Sequence, residues 1–213
     1  MWRLGAHFAL ARAPLPRPVD VQGVRDTAEC GRALTTINPT PMHNTILGID
    51  PGTREMGVVV VRGPKLVSYG VHTLRNGSRP HSVIGQARAI VRSYIDECHP
   101  NVVAIEKPLM KPTKRAALVS VIAQELRARS NELGLSVTEI SPRRVREKLV
   151  GDRYATKIDV AQVLVERFPE LHSRLPEKPK RSALGYRPRD KYWLHMFDAL
   201  AVAVSVGRSD LLT

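Results

Sequence analysis

The segment TILGIDPGT, residues 45–53, decides the fold. Its first five residues are mostly apolar and predict a buried strand, which runs into Asp50 and the turn pair Pro51-Gly52. A carboxylate at the mouth of a buried strand is costly unless a positive charge meets it. The neighbouring Arg54 or a metal ion would supply that charge, whereas the simpler alternative is an aspartate that only begins a turn.

Two further acids occur in similar surroundings. The apolar run 102–105 predicts a strand buried on both faces, and it ends at Glu106. Asp198 lies on the last predicted helix, with His195 one turn earlier on the same face. Asp50 and Glu106 lie side by side if the first and fourth strands are adjacent and parallel. The alternative scatters these residues over the surface, with His195 and Asp198 as ordinary helix residues.

Carboxylates that converge in this way require a counter-charge. Two like charges about 4 Å apart repel by roughly 4 kcal/mol at an effective dielectric constant of about 20. Carboxylate oxygens suit Mg²⁺ or Mn²⁺, and an imidazole ligand widens the choice toward Mn²⁺. Two such ions about 3.5–4 Å apart would activate water and stabilise the leaving oxygen of a phosphodiester. We therefore predict a metal site at Asp50, Glu106, His195 and Asp198.

The remaining pattern predicts an α/β fold. Residues 45–50, 56–62 and 66–74 have strand character, and their short connections suit antiparallel pairing. Two further strands are predicted at residues 102–105 and 135–140. Helices are predicted at residues 83–98, 114–133, 143–150, 156–168 and 192–206. This order predicts a mixed five-stranded sheet, three antiparallel strands and then two parallel ones, flanked by helices. Gly57 would let the backbone pass close to whatever sits at Asp50.

The ends of the chain differ from this domain. Residues 1–44 carry arginines and prolines without an acid before Asp20, which predicts a mostly disordered extension; an organellar presequence is the alternative. We expect the domain to span residues 45–207, with an irregular basic loop at 171–191 and a tail at 208–213. No apolar run approaches the roughly 18 residues of a membrane span.

The net charge of +13 predicts an acidic partner, nucleic acid first and an anionic membrane surface second. The excess is concentrated in three segments, residues 107–115, 142–157 and 171–191. An acidic centre flanked by basic segments fits a nuclease, which must hold both a polyanion and metal ions. The alternative for each single segment is an ordinary solvated face.

Several motifs resemble a known family, the RuvC-type Holliday junction resolvases of the RNase H-like superfamily. They are Gly48-Ile-Asp-Pro-Gly-Thr53, Ala104-Ile-Glu-Lys-Pro108 and Asp198-Ala-Leu-Ala-Val-Ala203, with Ser141-Pro-x-x-Val-Arg146 and Ala155-Thr-Lys157 as weaker matches. The resemblance extends from about residue 45 to 206. It implies an RNase H-like fold, a homodimer, two Mg²⁺ or Mn²⁺ ions and cleavage of branched DNA, with a branch-migration motor as one conceivable partner.

The resemblance also implies roles for individual residues. Asp50, Glu106, His195 and Asp198 correspond to the metal-binding catalytic set, and Lys157 would help to neutralise the transition state. The chain departs from the family where His195 replaces the commoner aspartate, where Leu109-Met110 replace an aromatic wedge, and in the length of the basic loop. The expected contacts with nucleic acid are Lys107, Leu109, Met110, Lys111, Lys114, Arg115, Arg143, Arg144, Arg146, Lys157, Lys180 and Arg181.

Other functions fit part of the same pattern. One alternative is an RNase H-like nuclease that acts on RNA, flaps or linear duplex. An actin-like or sugar-kinase ATPase also uses an Asp-x-Gly-Thr motif, but such proteins are generally much longer than this chain. A DNA-binding module without activity is a further alternative. For the leading hypothesis we expect a cytoplasmic, nucleoid-associated protein without a membrane partner.

Overall fold

The computed structural model describes residues 44–75, 80–109, 112–176 and 188–207. The strands are β1 (Thr45–Asp50), β2 (Glu55–Arg62), β3 (Lys65–Thr73), β4 (Val102–Glu106) and β5 (Ser136–Ile140). The helices are α1 (Pro80–Cys98), α2 (Lys114–Glu132), α3 (Pro142–Val150), α4 (Lys157–Arg167) and α5 (Pro188–Gly207), with a 3-10 helix at Pro169–Arg174.

The five strands form one mixed sheet in the order β3-β2-β1-β4-β5. β1 pairs antiparallel with β2 and parallel with β4, while β5 pairs parallel with β4. All six residues of β1 are buried, as expected for a central strand covered on both faces. The predicted mixed sheet, with three antiparallel strands followed by two parallel ones, is confirmed.

The alternation along β1 divides its side chains between two cores. Leu47 and Ile49 pack in the core on the α1 and α2 side, whereas Ile46 packs in the core that contains α3, α4 and α5. Because side chains alternate along a strand, Asp50 points to the same face as Ile46. The acid therefore faces α5, the helix that carries His195 and Asp198.

Two helices start where their capping residues predict. The side chain of Ser141 accepts a hydrogen bond from the Arg144 N–H, and Pro142 occupies the first turn of α3. Thr156 and Asp159 form a reciprocal capping box at the start of α4. These caps fix where α3 and α4 begin, and hence where their first side chains lie.

The predicted irregular loop at 171–191 is only partly correct. Residues 171–174 belong to the 3-10 helix, and residues 188–191 belong to α5. Leu171 is fully buried in the core cluster that contains residues of α4 and α5. The basic residues around it in the sequence gave no indication of this burial. The rest of the loop, with Lys180 and Arg181, lies outside the described residues, as do Met110, Lys111, residues 1–43 and residues 208–213.

In the described part of the chain, every helix is too short or too polar to cross a membrane.

Candidate functional site

The parallel pairing of β1 with β4 brings two acids together. Ile49 is the register partner of Ile105, so the next residues, Asp50 and Glu106, lie side by side at the carboxyl ends of neighbouring strands. Asp50 is buried and Glu106 is half-buried. The predicted juxtaposition of these two carboxylates is confirmed.

Two glycines let α5 approach the sheet closely. A Cβ atom at Gly57 would lie 1.9 Å from the His195 carbonyl oxygen, and one at Gly48 would lie 2.4 Å from the Ala199 carbonyl oxygen. Any larger residue would force helix and sheet apart. Gly57 is also the register partner of Asp50. The group that approaches Gly57 closely, as its lack of a side chain led us to expect, is the backbone of α5.

The third carboxylate comes from α5. Asp50, Glu106 and Asp198 each offer an oxygen atom, and these atoms all lie within 4.8 Å of one another. The His195 Nδ1 atom lies 2.6 Å from Asp50 Oδ2, at the edge of this carboxylate cluster. Four predicted site residues thus converge from three elements that are distant in sequence.

Glu55 is a neighbour of the cluster that the sequence did not indicate. Its Oε2 atom lies 3.3 Å from His195 Nε2, so both ring nitrogens of the histidine face carboxylates. Glu55 begins β2 and belongs to no motif. Its proximity to His195 follows from the turn after β1 and from the packing of α5, neither of which a local pattern specifies.

Burial and mutual repulsion make the ionised cluster unfavourable. Burial raises the pKa of Asp50 to about 7, with repulsion from Asp198 adding to the shift and a hydrogen bond with Glu106 opposing it. Burial also raises the pKa of Glu106 well above its usual range, and the charges of Asp50 and Asp198 raise it further. The cluster therefore favours either protons or cations.

Lys157 supplies one positive charge to the cluster. It is the first residue of α4, and its ammonium group forms an ion pair with the Asp198 carboxylate. Burial lowers the pKa of Lys157, but the charge and hydrogen bond of Asp198 outweigh that effect, so the net pKa is raised. Burial lowers the pKa of His195 below its usual range, which keeps the imidazole neutral at neutral pH.

The donor set fits a divalent metal. The three carboxylates of the cluster carry more negative charge than the ion pair between Lys157 and Asp198 balances. A divalent ion would balance the remaining charge and remove the cost of ionising the buried acids. Oxygen ligands with one neutral imidazole nearby match the preferences of Mg²⁺ and Mn²⁺. The chemistry of the residues therefore agrees with a metal-dependent site.

A cleft of about 300 Å³ opens above the cluster. Asp50, Glu106, Lys157 and His195 form its floor. The predicted nucleic-acid contacts Lys107, Leu109 and Arg115 also line this cleft, together with Pro142.

The other predicted nucleic-acid contacts within the described residues lie around the cleft. Arg146 lines a smaller adjoining cavity of about 20 Å³ with Glu106, Lys157 and Asp198. Lys114, Arg143 and Arg144 are exposed. Within the described residues, Lys107, Arg115 and Arg146 therefore line the two cavities at the carboxylate cluster.

This sheet order, with acids at the ends of the central strand and its parallel neighbour and a third acid on the final helix, defines an RNase H-like nuclease. The family model described as crossover junction endodeoxyribonuclease RuvC matches residues 46–185. The chain belongs to this family, and it is accordingly a hydrolytic, structure-selective endodeoxyribonuclease of the junction-resolving kind. The match ends before the site residues of α5, so the place of His195 and Asp198 rests on the coordinates.

Similar proteins agree with this assignment. The chain is 30% identical over 153 residues to crossover junction endodeoxyribonuclease RuvC of Porphyromonas gingivalis, covering 68% of this chain and 80% of that protein. It is 30% identical over 169 residues to the protein of the same name from Histophilus somni, covering 77% and 79%.

Two solved structures share the fold. Thermus thermophilus RuvC in complex with a Holliday junction substrate has a TM-score of 0.62 at 24% identity, covering 79% of this chain and 96% of that one. The yeast mitochondrial Holliday junction resolvase has a TM-score of 0.54 at 13% identity, covering 80% and 81%. The family match leaves the ATPase alternative without support.

Proposed function

We propose that this protein cleaves four-way DNA junctions with two Mg²⁺ or Mn²⁺ ions held by Asp50, Glu106 and Asp198, with His195 as a further ligand. The observation that carries the proposal is the convergence of three carboxylates within 4.8 Å, two of which, Asp50 and Glu106, line a cleft that Lys107 and Arg115 also line. Bound divalent ions would supply an activated water and stabilise the leaving oxygen of the phosphodiester.

Other residues of the cleft would bind different parts of the DNA. Lys107 and Arg115 line its walls, where they would bind phosphates and hold the strand across the acidic floor. Leu109 is 62% exposed at the same edge, where an apolar side chain can enter between unstacked bases as a wedge. The exposed bases Lys114, Arg143 and Arg144 would extend the contact to the flanking duplex arms.

The direct test is cleavage of a synthetic four-way junction in Mg²⁺ and in Mn²⁺, compared with linear duplex, flap and RNA-containing substrates of the same sequence. We expect paired, symmetric nicks in the junction, no cleavage in EDTA and much slower cleavage of linear duplex. If the protein cleaves the linear duplex or RNA faster than the junction, that substrate would take the place of the four-way junction in the proposal. Absence of cleavage of every substrate in both metals would refute the proposal.

Lys157→Gln is expected to reduce cleavage by about 10²–10³-fold, the usual effect of removing one group that stabilises transition-state charge. Junction affinity should change little because at most one phosphate contact is lost. Single-turnover cleavage and equilibrium binding measure the two effects separately. Lys65→Gln, at an exposed position where β3 begins, is the matched control. Equal cleavage by the Lys157→Gln variant and the wild type would exclude this role.

We further propose that the protein is a homodimer that uses the first half of α2. Ile122, Ala123 and Leu126 of this helix pack in the core, but Val121 on the opposite side is 46% exposed. The preceding residues Ala117 and Leu118 are also apolar and not fully buried, whereas Ala116 and Val119 line the cleft. A second copy of the chain would cover this apolar surface and place two clefts on one four-way junction.

Val121→Glu is expected to weaken the dimer by at least about 100-fold, because it would bury an unpaired charge in the interface. Light scattering coupled to size-exclusion chromatography across a concentration series measures the change. Leu133→Glu, 43% exposed just after the opposite end of α2, is the control and should leave the dimer intact. A wild-type protein that remains monomeric throughout the series would contradict the interface.

The proposed substrate also determines where the protein acts. Chromosomal junctions would place it in the cytoplasm with the nucleoid. A branch-migration motor, which moves a junction along DNA, is the kind of partner whose action would supply this substrate.

A further inference from the structure

An exposed aromatic side chain lies three residues before Lys157 of the cleft and has no part in the function proposed above. Tyr154 is 74% exposed and lies in the connection between α3 and α4. A single exposed apolar side chain is common on protein surfaces and carries no conclusion by exposure alone. The contacts of Tyr154 and its position relative to the cleft distinguish it from such a residue.

The tyrosine is held in place although it is exposed. Its backbone N–H donates to Asp152 Oδ1 over 2.8 Å, and Arg153 Nη2 donates to its phenol oxygen over 2.9 Å. The guanidinium carbons of Arg153 and Arg143 lie 5.0 and 6.0 Å from the ring centroid, within the range of cation–π attraction. These contacts restrain the ring, so little conformational entropy remains to be lost when another planar group packs on it.

Residues next to Tyr154 and next to its partner Arg143 in the chain line the cleft. Lys157, three residues after Tyr154, lies on the floor of the cleft beside Asp50 and Glu106. Pro142, which precedes Arg143, also lines the cleft. Tyr154 and the Arg143 side chain that lies over its ring are therefore each close in the chain to a residue of the cleft.

The charge around the ring suits nucleic acid. Residues 142–157 contain six Lys or Arg against two acids. One of those acids, Asp152, accepts a hydrogen bond from the Tyr154 backbone N–H. Restrained aromatic rings in a basic groove bind nucleic acid by stacking on bases, while neighbouring cations bind the phosphates on either side.

We propose that Tyr154, supported by Arg143 and Arg153, is a stacking platform for a base that is unstacked next to the cleaved phosphate. This proposal rests on the proposed function and identifies the part of the substrate that the rim of the cleft recognises. It also provides an aromatic surface at this cleft, where the segment after Glu106 offers the aliphatic Leu109. A base unstacked by Leu109 would gain a new stacking partner on Tyr154.

The test uses full-length protein, in EDTA to prevent cleavage, and four-way junctions that carry 2-aminopurine at single positions near the crossover. Stacking on the tyrosine ring should quench the fluorescence of one position in the wild-type complex. Tyr154→Leu should remove that quenching and weaken junction binding by about tenfold, the order expected for one stacked base. Tyr154→Phe should keep both properties because it retains the ring.

Two controls separate stacking from other roles. Tyr154→Leu should leave the salt dependence of binding unchanged, whereas Arg143→Gln should reduce the log–log slope by about 0.9, one phosphate contact. Leu133→Ala, at an exposed site beyond the end of α2, should match the wild type in every measurement.

The outcomes distinguish this proposal from the one on which it rests. If Tyr154→Leu binds and quenches like the wild type while the wild type cleaves junctions, the stacking platform is refuted and the proposed function stands. An equal loss in Tyr154→Phe and Tyr154→Leu would assign the effect to the hydroxyl group and would also refute stacking. A wild-type protein that neither binds nor cleaves junctions would remove both proposals.

Discussion

Asp50→Asn is expected to reduce junction cleavage by at least about a thousandfold, because losing a charged metal ligand removes several kcal/mol of transition-state stabilisation. The substitution preserves the shape of the side chain, removes its charge and replaces one potential oxygen ligand with an NH2 group. Junction binding in EDTA should be retained or strengthened, since a negative charge is lost from the floor of a cleft that receives phosphate. Single-turnover cleavage and filter binding report these two effects separately.

Thermal unfolding provides a second measurement of the same variant. Mg²⁺ or Mn²⁺ should raise the melting temperature of the wild type, because a ligand that binds only the folded state stabilises it. Asp50→Asn should lose most of this increase. In EDTA the variant should melt at or above the wild-type temperature, because the substitution removes a buried charge that is repelled by Asp198.

Asp96→Asn is the matched control for both measurements. Asp96 is exposed on α1, where it pairs with Arg92 and does not reach the cleft. The control should cleave and respond to metal like the wild type. Substantial cleavage by Asp50→Asn in excess Mg²⁺ would contradict the assignment of the metal site.

Gly57→Ala is expected to lower the free energy of unfolding by about 3 kcal/mol, at the upper end of the usual cost of overpacking. The added methyl group would lie 1.9 Å from the His195 carbonyl oxygen, and a backbone atom within a packed helix cannot move aside alone. The melting temperature should fall by roughly 6–12 °C for a domain of this size. Calorimetry or circular dichroism measures the change.

The same substitution should also impair cleavage. Relief of the clash requires α5 to shift away from the sheet, and this shift would move His195 and Asp198 relative to Asp50. A displacement of about 1 Å is enough to reduce catalysis by roughly 100-fold. We therefore expect lower activity even at temperatures where the variant is fully folded.

Gly85→Ala is the control for the glycine substitution. Gly85 lies on the exposed side of α1, and a Cβ atom there would meet nothing within 4 Å. Alanine is favoured over glycine within helices by about 1 kcal/mol, so this variant should melt slightly higher and cleave normally. Equal stability of Gly57→Ala and the wild type would show that the helix–sheet contact tolerates more space than its geometry indicates.

The predictable part of the site lies at the ends of strands. Apolar runs that finish in Asp50 and Glu106 identify two acids from the sequence alone. A central strand that is buried on both faces is almost entirely apolar, so an acid at its end is conspicuous. The parallel pairing of β1 and β4 then brings the two acids together. His195 and Asp198 were predictable as partners because they occupy one face of one helix.

The unpredicted contacts join residues that share no local pattern. Three such features are the proximity of Glu55 to His195, the burial of Leu171 and the contact of Arg143 with the Tyr154 ring, and all depend on how distant segments pack together. Basic residues around Leu171 indicated a solvated loop, although its own side chain packs in the core. Packing of this kind is decided by long-range complementarity, which a window of neighbouring residues does not contain.

The sequence alone determined the strand and helix order and the acids at the strand ends, because periodicity and turn chemistry are local properties. Only the tertiary structure decided how far α5 enters the site, which residues touch His195, and where Tyr154 stands. Those features depend on the space that glycines leave between helix and sheet, and that space exists only once distant parts of the chain have packed.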